Sequence, residues 1–177
     1  MTSYPEDSLD NHPDAPDNYP PEDDGTMPAN VTSLGEHLIG RRIIKAEPGS
    51  VRVGDLRMVS DGYESEYEKK HYPDRQRNGF ILTLDDGRRV LLADTSDCCA
   101  HTYLEKFLLH PERIDHAITG VASTNGYTKW HIFADLGDIL ELDVEWSPGN
   151  PFYYGYGFDI YVSEVLDSYV ITGELEP

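Results

Sequence analysis

Asp97-Cys98-Cys99-Ala100-His101 is where a nucleophile, a base and an acid crowd together in this chain. A helix opening just after Asp97 would set a thiol at the positive end of its dipole, which lowers the thiol pKa and favours the thiolate. His101 follows Cys98 by three residues, a spacing that brings side chains together on a helix and would let the imidazole serve as base. Thiol-dependent catalysis at Cys98, Cys99 and His101 is therefore conceivable. Acyl transfer also needs an oxyanion site and a substrate pocket, which the sequence does not announce. The plainer expectation is a cysteine packed as a small apolar group while Asp97 caps the helix. Zinc is another reading, with Cys98 and His101 joined by His110, His116 or His131, but the paired Cys-x-x-Cys or His-x-x-x-His spacing of a structural site is absent. The adjacent cysteines sit about 3.8 Å apart at Cα, below the usual disulfide range, so reduced thiols are expected. Neither a metal nor a cofactor is expected.

A second group is the run Leu140-Glu141-Leu142-Asp143-Val144-Glu145-Trp146. Strand alternation puts Leu140, Leu142, Val144 and Trp146 on one face and a comb of carboxylates, Glu141, Asp143 and Glu145, on the other. As a solvated sheet face this is ordinary. With Asp135, Asp138 and Asp159 it could also imitate a phosphate backbone and recruit the lysines and arginines of a nucleic-acid-binding protein. Glu141 and Glu145 as an acid/base pair are disfavoured, because both should face water with ordinary pKa values. A third group is aromatic: Phe152-Tyr153-Tyr154-Gly155-Tyr156-Gly157-Phe158, then Asp159-Ile160-Tyr161. Tyr153, Tyr154 and Tyr156 suit a protein interface, while packing against the core accounts for some of the rings.

The elements that must hold these groups read as follows. Ser33 can cap a short turn carrying Leu34, Leu38 and Ile39, and Arg42 to Lys45 reads as a strand closed by Pro48-Gly49, with a second short strand near Val51 and Val53. Residues 60–77 look like a charged surface loop. Gly79 to Leu84, Asp85-Asp86-Gly87, and Arg88 to Ala93 form a hairpin with a tight primed turn. Tyr103, Leu104, Phe107 and Leu108 recur at helical spacing and predict a helix from about Cys98 to Leu109, ended by Pro111. Strands follow around 117–122, 129–134, 139–146 and 157–162, and a last one near 169–172. The fold class expected is α+β, a mainly antiparallel sheet with one main helix packed on one face, preceded by a disordered acidic tail.

Charge divides the chain of 177 residues unevenly, with residues 1–30, 31–89 and 90–177 carrying −8, +1 and −12 of the net −19. Residues 1–30 hold many acids and prolines and no lysine or arginine, so this stretch is read as a disordered tail, with Tyr4, Leu9 and Tyr19 as possible anchors, and residues 31–177 as a single domain. A field of this sign disfavours nucleic-acid backbones and anionic membranes and favours a basic protein partner. No apolar run is long enough to span a bilayer and no leader is recognisable, so a cytoplasmic location is expected.

The order Leu38-x-Gly40-x-x-Ile43, the Asp86-Gly87 hairpin, Asp97-Cys98-Cys99, the Trp130 strand with its Gly137 turn, and the aromatic final segment resembles an uncharacterised domain family of bacteriophages and prophages, over roughly residues 34 to 163. The resemblance implies a phage setting, hence a host cytoplasm, and brings no catalytic residues. The function expected is a non-enzymatic acidic interaction protein acting through Glu141, Asp143, Glu145, Asp159, Tyr153, Tyr154 and Tyr156. A nucleic-acid mimic, a thiol enzyme at Cys98/Cys99 and a minor virion protein are the alternatives.

Overall fold

The computed structural model describes residues 2–8, 26–59, 65–97, 100–149 and 157–163, with the backbone alone at 65, 66, 68 and 97. Helix α1 (Thr26–Leu38) is followed by β1 (Ile43–Arg52), β2 (Leu56–Met58), helix α2 (Ser65–His71), β3 (Gln76–Leu84) and β4 (Arg89–Ala93). Then come β5 (Thr95–Asp97), β6 (Ala100–Leu109), β7 (Gly120–Thr124), β8 (Lys129–Ala134), β9 (Gly137–Ser147) and β10 (Asp159–Ser163). They make two five-stranded antiparallel sheets that curl into a half-barrel, ordered β1-β3-β4-β10-β2 and β5-β6-β9-β8-β7.

The chain is thus mainly antiparallel sheet with one main helix, but that helix is α1 and not the one expected at 98–109. Ala100–Leu109 is strand β6, paired along its length with β9. Its apolar spacing imitates a helix because the register slips between Leu104 and Lys106. One extra residue at Glu105 shifts the alternation, so Leu104 and Phe107, paired with Val144 and Leu142, share a face at a separation of three, with Phe107 still 39% exposed. Phe107 then meets Phe80 of the first sheet, ring centroids 4.7 Å apart.

Helix α1 begins at Thr26 and carries Pro28 in its first turn, where the missing N–H costs nothing. Ser33 lies within α1 and donates to the Val59 carbonyl, so it is not a cap. Met27, Leu34 and Leu38 are fully buried, and α1 touches β7 of one sheet and β10 of the other instead of lying on a single face. Its buried Asn30 accepts from the Phe158 amide at 2.6 Å, which ties the helix to the start of β10. The helix occupies part of the stretch read as tail, so the boundary drawn at residue 30 falls inside α1.

The remaining strands fall close to expectation, with three corrections. β1 runs through Pro48 instead of stopping there, which an edge strand permits because the absent N–H faces no partner. The charged stretch at 60–77 includes α2 and the start of β3. In the hairpin of β3 and β4 only Gly87 has a positive φ, 84°. Its amide bonds the Leu84 carbonyl, so the turn is an ordinary one followed by a left-handed glycine, and not the primed form, which needs two positive angles. The strand expected near 169–172 lies outside the described residues.

One core joins the sheets: Phe80, Leu82, Leu92 and Ile160 from the first meet Trp130, Ile132, Leu140, Leu142 and Trp146 from the second, with Leu34 and Leu38 of α1. A smaller cluster of Val51, Leu56, Ile81, Leu91 and Tyr161 covers the other side of the first sheet. Among the described residues, no such buried apolar cluster covers the outer face of the second sheet, and there polar side chains gather.

Candidate functional site

The alternation expected along β9 holds: Leu140, Leu142, Val144 and Trp146 are buried, while Glu141, Asp143 and Glu145 point outward. A bulge refines it. Ile132 pairs with Leu140 and Phe133 with Asp138, which leaves Ile139 as an extra buried residue. Asp138 and Glu141 therefore emerge on the same outer face, one on either side of His131.

The comb is not the bare array of carboxylates that the sequence suggested. Lys129 of β8 stands between two of its teeth, its Nζ 3.1 Å from Glu141 Oε2 and 2.8 Å from Asp143 Oδ1. His110 Nε2 meets the other oxygen of Glu141 at 2.8 Å. His131, itself only 8% exposed, contacts Asp138 Oδ2 through Nδ1 at 3.1 Å and Thr124 Oγ1 through Nε2 at 3.0 Å. Glu145 remains exposed, with His101 Nε2 3.9 Å away.

These contacts set the protonation behaviour. The hydrogen bond from His110, aided by Lys129, outweighs burial and holds Glu141 below its ordinary pKa. Burial pulls Lys129 down, but its bonds to Asp143 and Glu141 prevail and raise it. Glu141 is thus neither solvated nor ordinary, contrary to expectation. A carboxylate fixed in its ionised form is suited to charge pairing and poorly suited to donating a proton.

His131, Asp138 and Glu141 place one ligand atom each within 4.8 Å of one another. A divalent cation there would have to displace Lys129 and His110 from Glu141, so the trio works as part of a hydrogen-bonded network. Of the zinc combinations, the one that joins His101 to His110 is ruled out by distance, while Cys98 lies outside the described residues. His101 opens β6 and His110 follows its end, about 30 Å apart at the strand rise.

Cys98 and Cys99 lie outside the described residues. The helix that would have activated them is absent, because residues 100–109 are strand, and the helical proximity of Cys98 to His101 goes with it. Tyr153, Tyr154 and Tyr156 also lie outside. Of the rest of the aromatic run, Phe158, Ile160 and Tyr161 are buried in the core. Asp159 belongs to β10 of the first sheet, with Arg77 Nη2 4.0 Å away, so it does not extend the comb.

Tyr4, a possible anchor in the sequence, lies across this face in a segment expected to be disordered tail. Residues 2–8 run over β8: the Tyr4 ring stacks on His131 at 4.1 Å and leans on Phe133 at 5.1 Å, and its hydroxyl donates to Asp138. Burial and then the Asp138 carboxylate push the Tyr4 pKa well above its ordinary value, so the phenol stays a donor. Asp7 accepts from the amides of Gly126 and Tyr127 at 3.0 and 2.7 Å. The Asn125-Gly126 pair is a turn signal that could have drawn attention to this corner.

Among the described residues no helix is long and apolar enough to cross a membrane. No curated protein and no solved structure matches the chain. A family model does match, over residues 36–160, from within α1 to within β10. The chain belongs to the family described as Domain of unknown function (DUF7448).

Proposed function

We propose that the protein is a non-enzymatic interaction module that engages a basic protein partner through the outer face of its second sheet. The observation that carries this is the arrangement on β9 and its neighbours. His110 and Lys129 hold Glu141 ionised and Lys129 also pairs with Asp143, while Glu145, with a side chain 52% exposed, and Glu112, at 60%, stand at the surface. Carboxylates outnumber cations there, and all but Glu112, which lies in the turn Pro111–Arg113, sit on paired strands, which present charge without further ordering cost.

The same arrangement favours a protein partner over mimicry of nucleic acid. A mimic needs an even succession of negative charge, and Lys129 interrupts this one between its first two members. A phage setting, with the partner in the host cytoplasm, belongs to this proposal and rests on the family resemblance.

Capture on the tagged chain from host lysate tests the reading. A basic partner that is retained at low salt, released at high salt and not displaced by DNA supports it. A partner displaced by DNA transfers the reading to mimicry, and salt-insensitive recovery of an acidic partner refutes both.

A further inference from the structure

The turn joining β7 to β8 is built in an unusual way. Asn125, Gly126 and Tyr127 take φ of 58°, 61° and 62° in succession, and only the middle residue is a glycine. Left-handed backbone at a tyrosine costs on the order of 1 kcal/mol and persists only where its surroundings fix it. Here they do so from inside. Trp130 Nε1 donates to the Tyr127 carbonyl at 2.7 Å, Trp146 Nε1 to the Gly126 carbonyl at 2.9 Å, and the Val144 amide to the Thr128 carbonyl at 2.8 Å. With its carbonyls drawn inward by two buried indoles, the turn directs the Gly126 and Tyr127 amides outward together. Two adjacent amides so directed make a concavity for an anion, and both oxygens of the Asp7 carboxylate fill it.

A second recess lies along β8. Phe133 rests over Gly120, where an added Cβ would fall 2.4 Å from its Cζ, and with His131 it offers two mutually inclined ring faces. Asp138 waits at the edge of those rings for a hydroxyl. Tyr4 satisfies all three. Between the two anchors stands Pro5, which fixes its own φ and confines Tyr4 to extended backbone, so the segment is largely shaped for the sheet before it docks.

We propose that the outer face of β8 and the 125–127 turn form a receptor for extended peptide segments of the pattern Tyr-Pro-x-acid, and that Thr2–Ser8 is its built-in, releasable ligand. The family match covers the receptor residues and not residues 2–8. The pattern recurs once in the chain, as Tyr19-Pro20-Pro21-Glu22, whereas the third Tyr-Pro, at Tyr72-Pro73, has Arg75 in the position of the acid. The receptor is independent of the basic-partner reading: its ligand is anionic and approaches a chain of net charge −19, so added salt strengthens this binding or leaves it unchanged.

The test uses the full chain with both internal copies disabled, by Tyr4→Ala, Asp7→Asn, Tyr19→Ala and Glu22→Gln. A labelled peptide of residues 2–8 is titrated onto this variant and onto the unaltered chain. A tethered ligand competes at an effective concentration on the order of 1 mM. The variant should therefore bind the peptide more tightly than the unaltered chain, by about tenfold where its Kd is about 0.1 mM. A peptide with Tyr4→Ala and Asp7→Asn should lose that binding. In the unaltered fold, Asp7→Asn alone should move the amide resonances of Gly126 and Tyr127. No binding to the variant at about 1 mM peptide, equal binding to both chains, or unmoved Gly126 and Tyr127 amides overturns the proposal.

Discussion

Glu141 takes a different partner on each oxygen, His110 on one and Lys129 on the other, and this makes it the residue through which pH should act on the fold. Its folded pKa is depressed, so the unfolded chain binds protons first as pH falls. The stability it contributes is complete above the ordinary glutamate value of about 4.3 and drains away as pH drops through the lower folded value. Glu141→Gln should cost about 1 to 2 kcal/mol near neutrality, because Lys129 and His110 each lose a charged partner. The variant should also show a flatter loss of stability in acid than the unaltered chain. Urea melts at about pH 7 and about pH 4 give both numbers. This residue was only half legible in the sequence: alternation gave its outward direction, but nothing local to β9 revealed the partners contributed by residues 110 and 129.

Among the elements, β6 shows where periodicity misleads. Tyr103, Leu104, Phe107 and Leu108 fit a helical stripe, and a bulge at Glu105 produces the same spacing in a strand. A bulge is fixed by the partner strand, and the partner here is β9, some forty residues later, so the sequence window could not contain the answer. By contrast, β8 and β9 were legible because each keeps a plain alternation through Trp130 and Ile132, or Leu140 and Leu142, between strong turn signals. The turn before β8 gives a prediction at this scale. Trp146→Phe keeps an aromatic ring of smaller volume but removes the donor to the Gly126 carbonyl, leaving a buried acceptor unpaired. A loss of about 1 to 3 kcal/mol in thermal or denaturant melts is expected, together with faster hydrogen exchange at Gly126 and Tyr127. The same variant should loosen Thr2–Ser8, since Asp7 is held by the amides that this indole helps to direct.

At the scale of the whole molecule, the uneven charge was plain in the sequence, whereas its placement depended on topology. The acids of residues 90–177 are shared between two sheets: Asp159 goes to the first, and Glu141, Asp143 and Glu145 go to the second. The face carrying Asp138, Glu141 and Asp143 is also the one on which residues 2–8 lie, so an acidic segment of the chain covers part of an acidic surface. It is held there by a ring stack and two backbone amides against the general repulsion. The reading of the protein as an electrostatic binding module is tested most directly by the affinity of its captured basic partner across a salt series, for the unaltered chain and for Glu145→Lys with Glu112→Lys. Both residues are exposed, so the fold should survive the change. The account predicts that affinity falls steadily with salt and that charge reversal weakens low-salt binding by about tenfold or more. Affinity indifferent to both salt and charge reversal would contradict it, as would tight binding of the folded chain to DNA or RNA at ordinary ionic strength.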